Sequence, residues 1–378
     1  MRISSIRPYL VSSDYGSNSS FGQPLGIKTI GIVEVTLNTG CIGYGESYSA
    51  IYMPDLFYAT VQNLAVLLVG SEFSSPIEIF RSFFIPFCSR SGFICSVFSG
   101  IDIALWDAFL QSVSQSLPEY LTTKPRRDQL FYFSGGSVVL TPSEIENEVA
   151  SVPDFFDGYK LRVGRQSWET DITRMNVARN HWQGSLMVDS IMGTLRPSLT
   201  SSDWLTRLQV LKSLDLLWLE EPFSPDDFQS YLDPHHRLPN ISIAYGEAIT
   251  GVIELLSFCK SPNISFIQLD ATHIGGISLI LDNLEAIVNS GKNVAFHIWG
   301  SPLSFAANLQ LSSILPMSSW VEYPGTPLTV FSKSDPCFFL PKLDLNFYLE
   351  QPRLSSPNIG SVIASSPYKP GSGYKLPS

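Results

Sequence analysis

Residues 186–222, LMVDSIMGTLRPSLTSSDWLTRLQVLKSLDLLWLEEP, decide the fold. An apolar run ends in Asp189, a helical pattern follows, and a second apolar run ends in Glu220. This is one strand–helix–strand unit, in which the short runs read as strands and the polar terminal residues as strand ends. Outward from it the same rhythm repeats. Apolar runs end at Ser134, Lys160, Asp189, Glu220, Glu247, Asp270, His297 and Glu322, with gaps of 26, 29, 31, 27, 23, 27 and 25 residues. Such gaps match the roughly 30-residue length of a βα unit. Thr141-Pro142-Ser143-Glu144 is a capping box with proline at the first helical position, and Thr250 is expected to cap a helix over 251–260. Eight such units predict a closed parallel (β/α)8-type barrel. An open doubly wound sheet is disfavoured because no G-x-G-x-x-G or P-loop cradle is present.

The first ~125 residues have a different texture, within the usual size range of a domain. Residues 30–37 alternate as a strand and can pair with 41–47 across a turn at 38–40. A Ser/Gly/Asn-rich segment, 12–26, reads equally as a hairpin tip or a mobile lid over a site, with Tyr15 and Phe21 embedded in it. The clearest helix covers 100–113, and 122–128 reads as the linker into the barrel. The expected division is therefore an α+β cap over 1–125, a barrel over 126–325 and a C-terminal segment over 326–378 returning to the cap.

Composition bounds the function. The chain has 378 residues, 24 basic and 34 acidic, for a formal charge of −10, and only 15% of it is charged while 44% is apolar. That apolar fraction excludes a disordered protein. The acidic balance lacks a basic block for counterion release, so no nucleic-acid partner is expected. The five cysteines are scattered without a C-x-x-C pair, which points to free thiols in a reducing compartment. The apolar stretch 56–69 is too short to span a bilayer, and 1–16 lacks a signal-peptide core. A cytoplasmic protein that does not engage a membrane is expected.

The strand ends carry the chemistry, because barrel active sites form at the C-terminal face. Taken singly, Asp189 suits a helix cap, Glu220 or Glu221 a structural ion pair, and His297 a satisfied core histidine. Together they place several carboxylates in one mouth, which is prohibitive without a cation. Asp189, Glu220 and Glu247 offer only oxygen, favouring Mg²⁺ over zinc. An H-x-H on an early strand, which a metal-dependent amidohydrolase would use, is absent.

In order and spacing, IVEVTL, GESYS, GIDIALWDAFLQ, YKLRVG, LMVDS, WLEEP, GEAIT, IQLDATHIGGIS, FHIWGS and WVEYP resemble the enolase superfamily, in its mandelate racemase-like acid-sugar dehydratase branch. The resemblance implies a modified (β/α)7β barrel under an α+β cap. It implies Mg²⁺ on Asp189, Glu220 and Glu247, and His297 as the acid/base oriented by Asp270. It also implies Glu322 as an electrophilic acid at the substrate carboxylate, and Lys160 opposite His297. The activity implied is removal of the proton alpha to a sugar-acid carboxylate with loss of the β-hydroxyl. A racemase or epimerase, and a catalytically silent barrel kept for binding, are the rivals.

Two positions depart from the family. Lys160-Leu161-Arg162 places arginine where a second lysine base is common, and arginine stays protonated. Arg162 is thus expected to clamp the substrate or a metal-ligand carboxylate, or to form a purely structural ion pair. Ile191 stands where the family often has asparagine, removing a polar contact. Lys28, Tyr52 and Trp299, with Tyr15 and Phe21, are the expected substrate-binding residues. Residues 12–26 and roughly 48–54 are expected to set specificity, and Lys28 as their one nearby cation favours a mono-acid. His273 is expected in a loop near the mouth, His181, His235 and His236 on the surface. A homo-oligomer is expected.

Overall fold

The computed structural model describes residues 1–14, 27–194 and 197–325. Tyr15, Phe21 and the segment 326–378, with its expected return to the cap, lie outside the described residues. The chain begins with an antiparallel sheet of β1 (Ile3–Asp14), β2 (Ile27–Leu37) and β3 (Ile42–Ser47), in that order. The hairpin turn at 38–40 is where the sequence places it, and Gly40 supplies the positive φ of 86° that the reversal needs.

A 22-residue helix, Gly92–Val113, packs on this sheet. It starts eight residues earlier than expected, because its first turns are apolar on every face and show no period. The helix is long and apolar enough to cross a membrane, yet its middle is buried all round inside the protein. It approaches β3 closely at two glycines. A Cβ on Gly43 would lie 2.2 Å from Ala104 O, and one on Gly45 2.2 Å from Gly100 O.

The barrel follows as expected. Strands β4 (Leu130–Ser134), β5 (Gly158–Arg162), β6 (Ser185–Asp189), β7 (Leu216–Glu220), β8 (Ile243–Tyr245), β9 (Ile264–Leu269), β10 (Asn293–Phe296) and β11 (Trp320–Pro324) close into a ring with β11 against β4. All neighbours in the ring are parallel. Each of the seven crossovers carries a helix, so the described residues form (β/α)7β. The predicted capping box is present, with Thr141 Oγ1 accepting from Glu144 N and Glu144 accepting from Thr141 N. Thr250 behaves differently from expectation. Gly251, at φ 104°, is the N-cap of Val252–Cys259, while Thr250 Oγ1 accepts from Gly92 N and ties the cap to the barrel.

A layer of Tyr132, Met187, Trp218, Ala244, Phe266, Ala295 and Trp320 fills the barrel interior. Side chains repeat on one face of a strand every two residues. The positions two further along include Ser134, Asp189, Glu220, His297 and Glu322, with Lys160 beside them on β5. Packing of large residues one layer below therefore lifts the polar set to the mouth. Placing a methyl at the strand–helix contact tests the cap. Gly45→Ala is expected to lower stability by ~1–3 kcal/mol, the usual cost of overpacking, read from urea unfolding; an unchanged midpoint would contradict the close approach.

Candidate active site

A pocket opens at the C-terminal face of the barrel, lined by Tyr48, Tyr52, Lys160, Arg162, Asp189, Ile191, Met192, Glu221, Glu247, His297 and Trp299. The cap contributes Tyr48 and Tyr52 from a 3-10 turn, Tyr48–Ile51, and the residue after it. Strand ends and the loops after them contribute the remainder.

His297 follows β10 and is buried. Its Nδ1 stands 2.9 Å from Asp270 Oδ2, and its Nε2 3.3 Å from Glu247 Oε2. Asp270 is fixed in turn by Thr272 N and Thr272 Oγ1, both 2.8 Å from Oδ1, and by Asn308 Nδ2 at 3.2 Å. Burial alone would lower the imidazole pKa. The charges of Glu247, Asp270 and Glu322, with the Asp270 hydrogen bond, outweigh that and raise it to about 9. Burial would raise Asp270, but the His297 bond and charge hold it below the usual carboxylate range. The predicted dyad is thus assembled, with Nε2 the nitrogen facing the pocket side.

Lys160 is almost wholly buried and lies among acids: Nζ to Glu220 Oε1 2.7 Å, to Glu322 Oε1 2.9 Å and to Asp189 Oδ2 3.7 Å. Its burial favours the neutral amine, yet the three carboxylates together raise its pKa. Arg162 donates from Nη1 to Gly135 O and from Nη2 to Ser134 Oγ, both at 2.7 Å, and its Nε lies 3.6 Å from Asp189 Oδ2. The guanidinium therefore contacts a carboxylate and the backbone at the pocket wall. Both the clamp and the structural ion pair expected of it are consistent with this geometry.

Glu322 lies among cationic neighbours. Despite burial, the charges of Lys160, His297 and Arg162 lower its pKa to about 2. Its Oε2 accepts from Ile298 N at 2.8 Å, and it does not line the pocket. Its Oε1 stands 2.9 Å from Lys160 Nζ, so Glu322 pins Lys160 and the backbone after His297.

Among the carboxylates expected at a metal, Asp189 and Glu247 line the pocket and Glu220 lies beneath it. Glu220 accepts from Lys160 and from Trp218 Nε1 at 2.9 Å, so both its oxygens are occupied. Among the described residues, no three His, Cys, Asp or Glu side chains are gathered in a geometry that would hold a metal ion. The donor chemistry nevertheless fits a hard cation. Burial raises the pKa of Asp189, Glu220 and Glu247, with further raising from their acidic neighbours. Glu221 adds a fourth carboxylate. Its Oε2 accepts from Met192 N at 2.8 Å, while its buried Oε1 has no partner and it lines the pocket. Burial, then Glu247 and Asp189, push it well above the usual range. Sequence reasoning treated Glu221 only as a possible ion pair; the Glu-Glu-Pro doublet was the signal.

The loop after β6 is unusual. Ile191, Met192 and Thr194 have φ of 43°, 49° and 66°, left-handed values that are strained for a β-branched residue. The strain sets the Ile191 and Met192 side chains against the pocket, and Ile191 N donates to Asp189 Oδ1 at 2.7 Å. A backbone amide thus makes the contact to Asp189, and the position that the family often fills with asparagine presents hydrocarbon.

On the cap side, Tyr48 is central. Its ring centroid lies 5.9 Å from His297, 6.0 Å from Trp299, 6.2 Å from Tyr52 and 5.1 Å from His273. Tyr52 and Trp299 line the pocket as expected, and Tyr48, which sequence reasoning did not single out, joins them. Lys28 does not line it: its ammonium is buried behind Trp299 and donates to the Trp299 carbonyl. His273 is half-buried with Nδ1 2.7 Å from Ser96 Oγ, and desolvation lowers its pKa to about 4. His181 and His235 are exposed and His236 half-buried, outside the site.

Comparison with known proteins places this geometry. The family model described as enolase C-terminal domain-like matches residues 144–352. The L-talarate/galactarate dehydratase of Salmonella typhimurium is 28% identical over 80% of this chain and 74% of its own. The arabinonate dehydratase of Saccharolobus solfataricus is 25% identical over 76% and 77%. A solved structure of an L-talarate/galactarate dehydratase variant, liganded with Mg and L-glucarate, superposes with a TM-score of 0.73 at 26% identity over 85% and 82% of the two chains. A protein of Bordetella bronchiseptica RB50 shares the fold over the full length of both chains, with a TM-score of 0.82 at 21% identity. The barrel, the cap and the family match over more than half of its length make this chain a member of the enolase C-terminal domain-like family, in the mandelate racemase-like branch of the enolase superfamily.

Proposed function

We propose that this enzyme is an acid-sugar dehydratase that removes the proton alpha to a carboxylate and expels the β-hydroxyl, giving a 2-keto-3-deoxy acid. The observation that carries it is the His297–Asp270 dyad, set into the wall of a pocket that also presents Lys160, Arg162 and a buried acid excess. Relatives named as galactarate, arabinonate and gluconate dehydratases support the reaction kind.

A Cα–H beside a carboxylate is weakly acidic, and its removal puts a second negative charge on the carboxylate oxygens. Asp189, Glu220 and Glu247, with Glu221 adjacent, are the residues to hold Mg²⁺. Bound there, Mg²⁺ supplies Lewis-acid charge at the substrate carboxylate. Lys160 and Arg162 add fixed positive charge at the same end. His297 Nε2 takes the α-proton, and Asp270 stabilises the imidazolium that results. The protonated ring then delivers that proton to the departing β-hydroxyl, which leaves as water, and the enol product tautomerises to the keto acid.

Arginine at 162 makes a second proton-transferring base on the opposite face unfavourable, which favours elimination over racemisation. A mono-acid is preferred over a diacid. Among the described lining residues, Lys160 and Arg162 stand together beside Asp189, while the Tyr48, Tyr52 and Trp299 wall holds no second cation for a distal carboxylate. Ile191 and Met192 suit a deoxy carbon.

Aldonic and aldaric acids incubated with Mg²⁺ in deuterium oxide test the proposal. Keto-acid formation without inverted, Cα-deuterated substrate is expected, and Arg162→Lys is expected to add epimerisation. Inversion with deuterium uptake in the parent would identify a racemase, and no turnover of any acid would exclude the dehydratase. The dyad has its own signature. Asp270→Asn removes a carboxylate that raises the His297 pKa, and the base works deprotonated. The acid limb of the kcat/KM profile is therefore expected to move to lower pH, with a loss of ~10²–10⁴ in rate; an unmoved limb would show that Asp270 does not tune His297.

A further inference from the structure

Two charged side chains of the cap, Lys28 on β2 and Glu46 on β3, are almost wholly buried. Neither lines the pocket. Between them they reach three consecutive residues of the loop after β10, Trp299, Gly300 and Ser301. Lys28 Nζ donates to the Trp299 carbonyl and stands 4.3 Å from the centroid of the Trp299 ring. Glu46 accepts from Ser301 N through both oxygens, at 3.2 and 3.0 Å, and from Ser301 Oγ at 2.5 Å. Between them lies Gly300, where a Cβ would meet Glu46 Oε1 at 2.2 Å, so the carboxylate rests on the backbone itself.

Residues 299–301 have functional neighbours on both sides. His297 and Ile298 precede them, Ile298 being tied to Glu322. Ser301 follows as the N-cap of Pro302–Ser312, its Oγ accepting from Leu303 N at 3.1 Å. That helix carries Asn308, which donates to Asp270 and to the His297 carbonyl. A negative group at the start of an 11-residue helix is favourably placed against its dipole, and a cation over an indole face is attracted to it. Burying two charges is costly even after relaxation, and both are spent on one short loop beside the site.

We propose that Lys28 and Glu46 are positioning residues, a polar clamp by which the cap sets the loop 297–301 and so fixes the Trp299 wall and the aim of His297. The inference rests on the proposed function only for the role of His297; the placement of Trp299 stands apart from it. The seven tryptophans are labelled with 5-fluorotryptophan, and Trp299→Phe assigns its ¹⁹F resonance. In Lys28→Met and Glu46→Gln the Trp299 resonance is expected to shift or split while the others hold. On the best acid substrate, kcat is expected to fall ~10- to 100-fold, the cost of an ångström-scale misplacement, with KM much less affected. Should Lys28→Met not fold, Ser301→Ala removes the hydroxyl that Glu46 grips while leaving both cap charges in place, and the same shift is expected. A Trp299 resonance that stays put, or one that moves with kcat unchanged, would overturn the clamp. If the parent turns over no acid, the dehydratase proposal falls and the fluorine spectra alone decide the clamp.

Discussion

Like charges buried together must be offset, and this requirement organises the barrel mouth. Asp189, Glu220, Glu221, Glu247, Asp270 and Glu322 lie close together with little solvent, against Lys160, Arg162 and His297. Desolvating a carboxylate costs several kcal/mol unless a cation or donors repay it. Lys160 meets part of the demand by bridging Glu220 and Glu322, and His297 another part through Asp270 and Glu247. Burial still raises the pKa of Asp189, Glu220, Glu221 and Glu247, so the remaining charge is unmet by protein alone. The elevated His297 pKa has the same origin: the ring is holding a proton for an acid cluster. A scaffold with no chemistry to perform would shed such a cluster.

The rest of the fold keeps that cluster in place. The layer of Trp218, Trp320, Tyr132 and Phe266 plugs the barrel below it, so the polar layer has no room to sink. The cap closes it from above, with Tyr48 packed between His297 and Trp299. Gly43 and Gly45 let the long buried helix sit directly on β3, and β3 in turn carries Glu46. The strained turn at 191–194 trades backbone comfort for an amide aimed at Asp189.

Much of this was legible in the sequence. The spacing of strand-end residues marked all eight barrel strands, because a βα unit has a nearly fixed length and apolar runs stop at the mouth. The His297–Asp270 pair followed from the resemblance to the enolase superfamily that IQLDATHIGGIS and FHIWGS help to carry. Orientation was less accessible. Lys28 was legible as a cation near the site, but its bond to the Trp299 carbonyl was not. Spacing put Glu322 at the mouth, but not its contacts with Lys160 and Ile298 N. Thr250 had the right residue type for a helix cap, but Gly251 takes that place because Thr250 bonds across to the cap domain. Glu221 and Tyr48 were missed for a related reason: which of two adjacent acids faces a pocket, and which tyrosine crosses a domain boundary, depends on backbone φ and on packing rather than on spacing.

The account turns on an acid excess that a divalent cation relieves, so metal binding measured calorimetrically is its most direct test. Titration of Mg²⁺ in buffers of different ionisation enthalpy reports both the site and the protons it displaces. The account predicts one site per chain, release of protons on binding near neutral pH from carboxylates or the imidazolium, and loss of the site in Asp189→Asn and Glu247→Gln. Absence of a saturable site, or binding indifferent to those two substitutions, would contradict it.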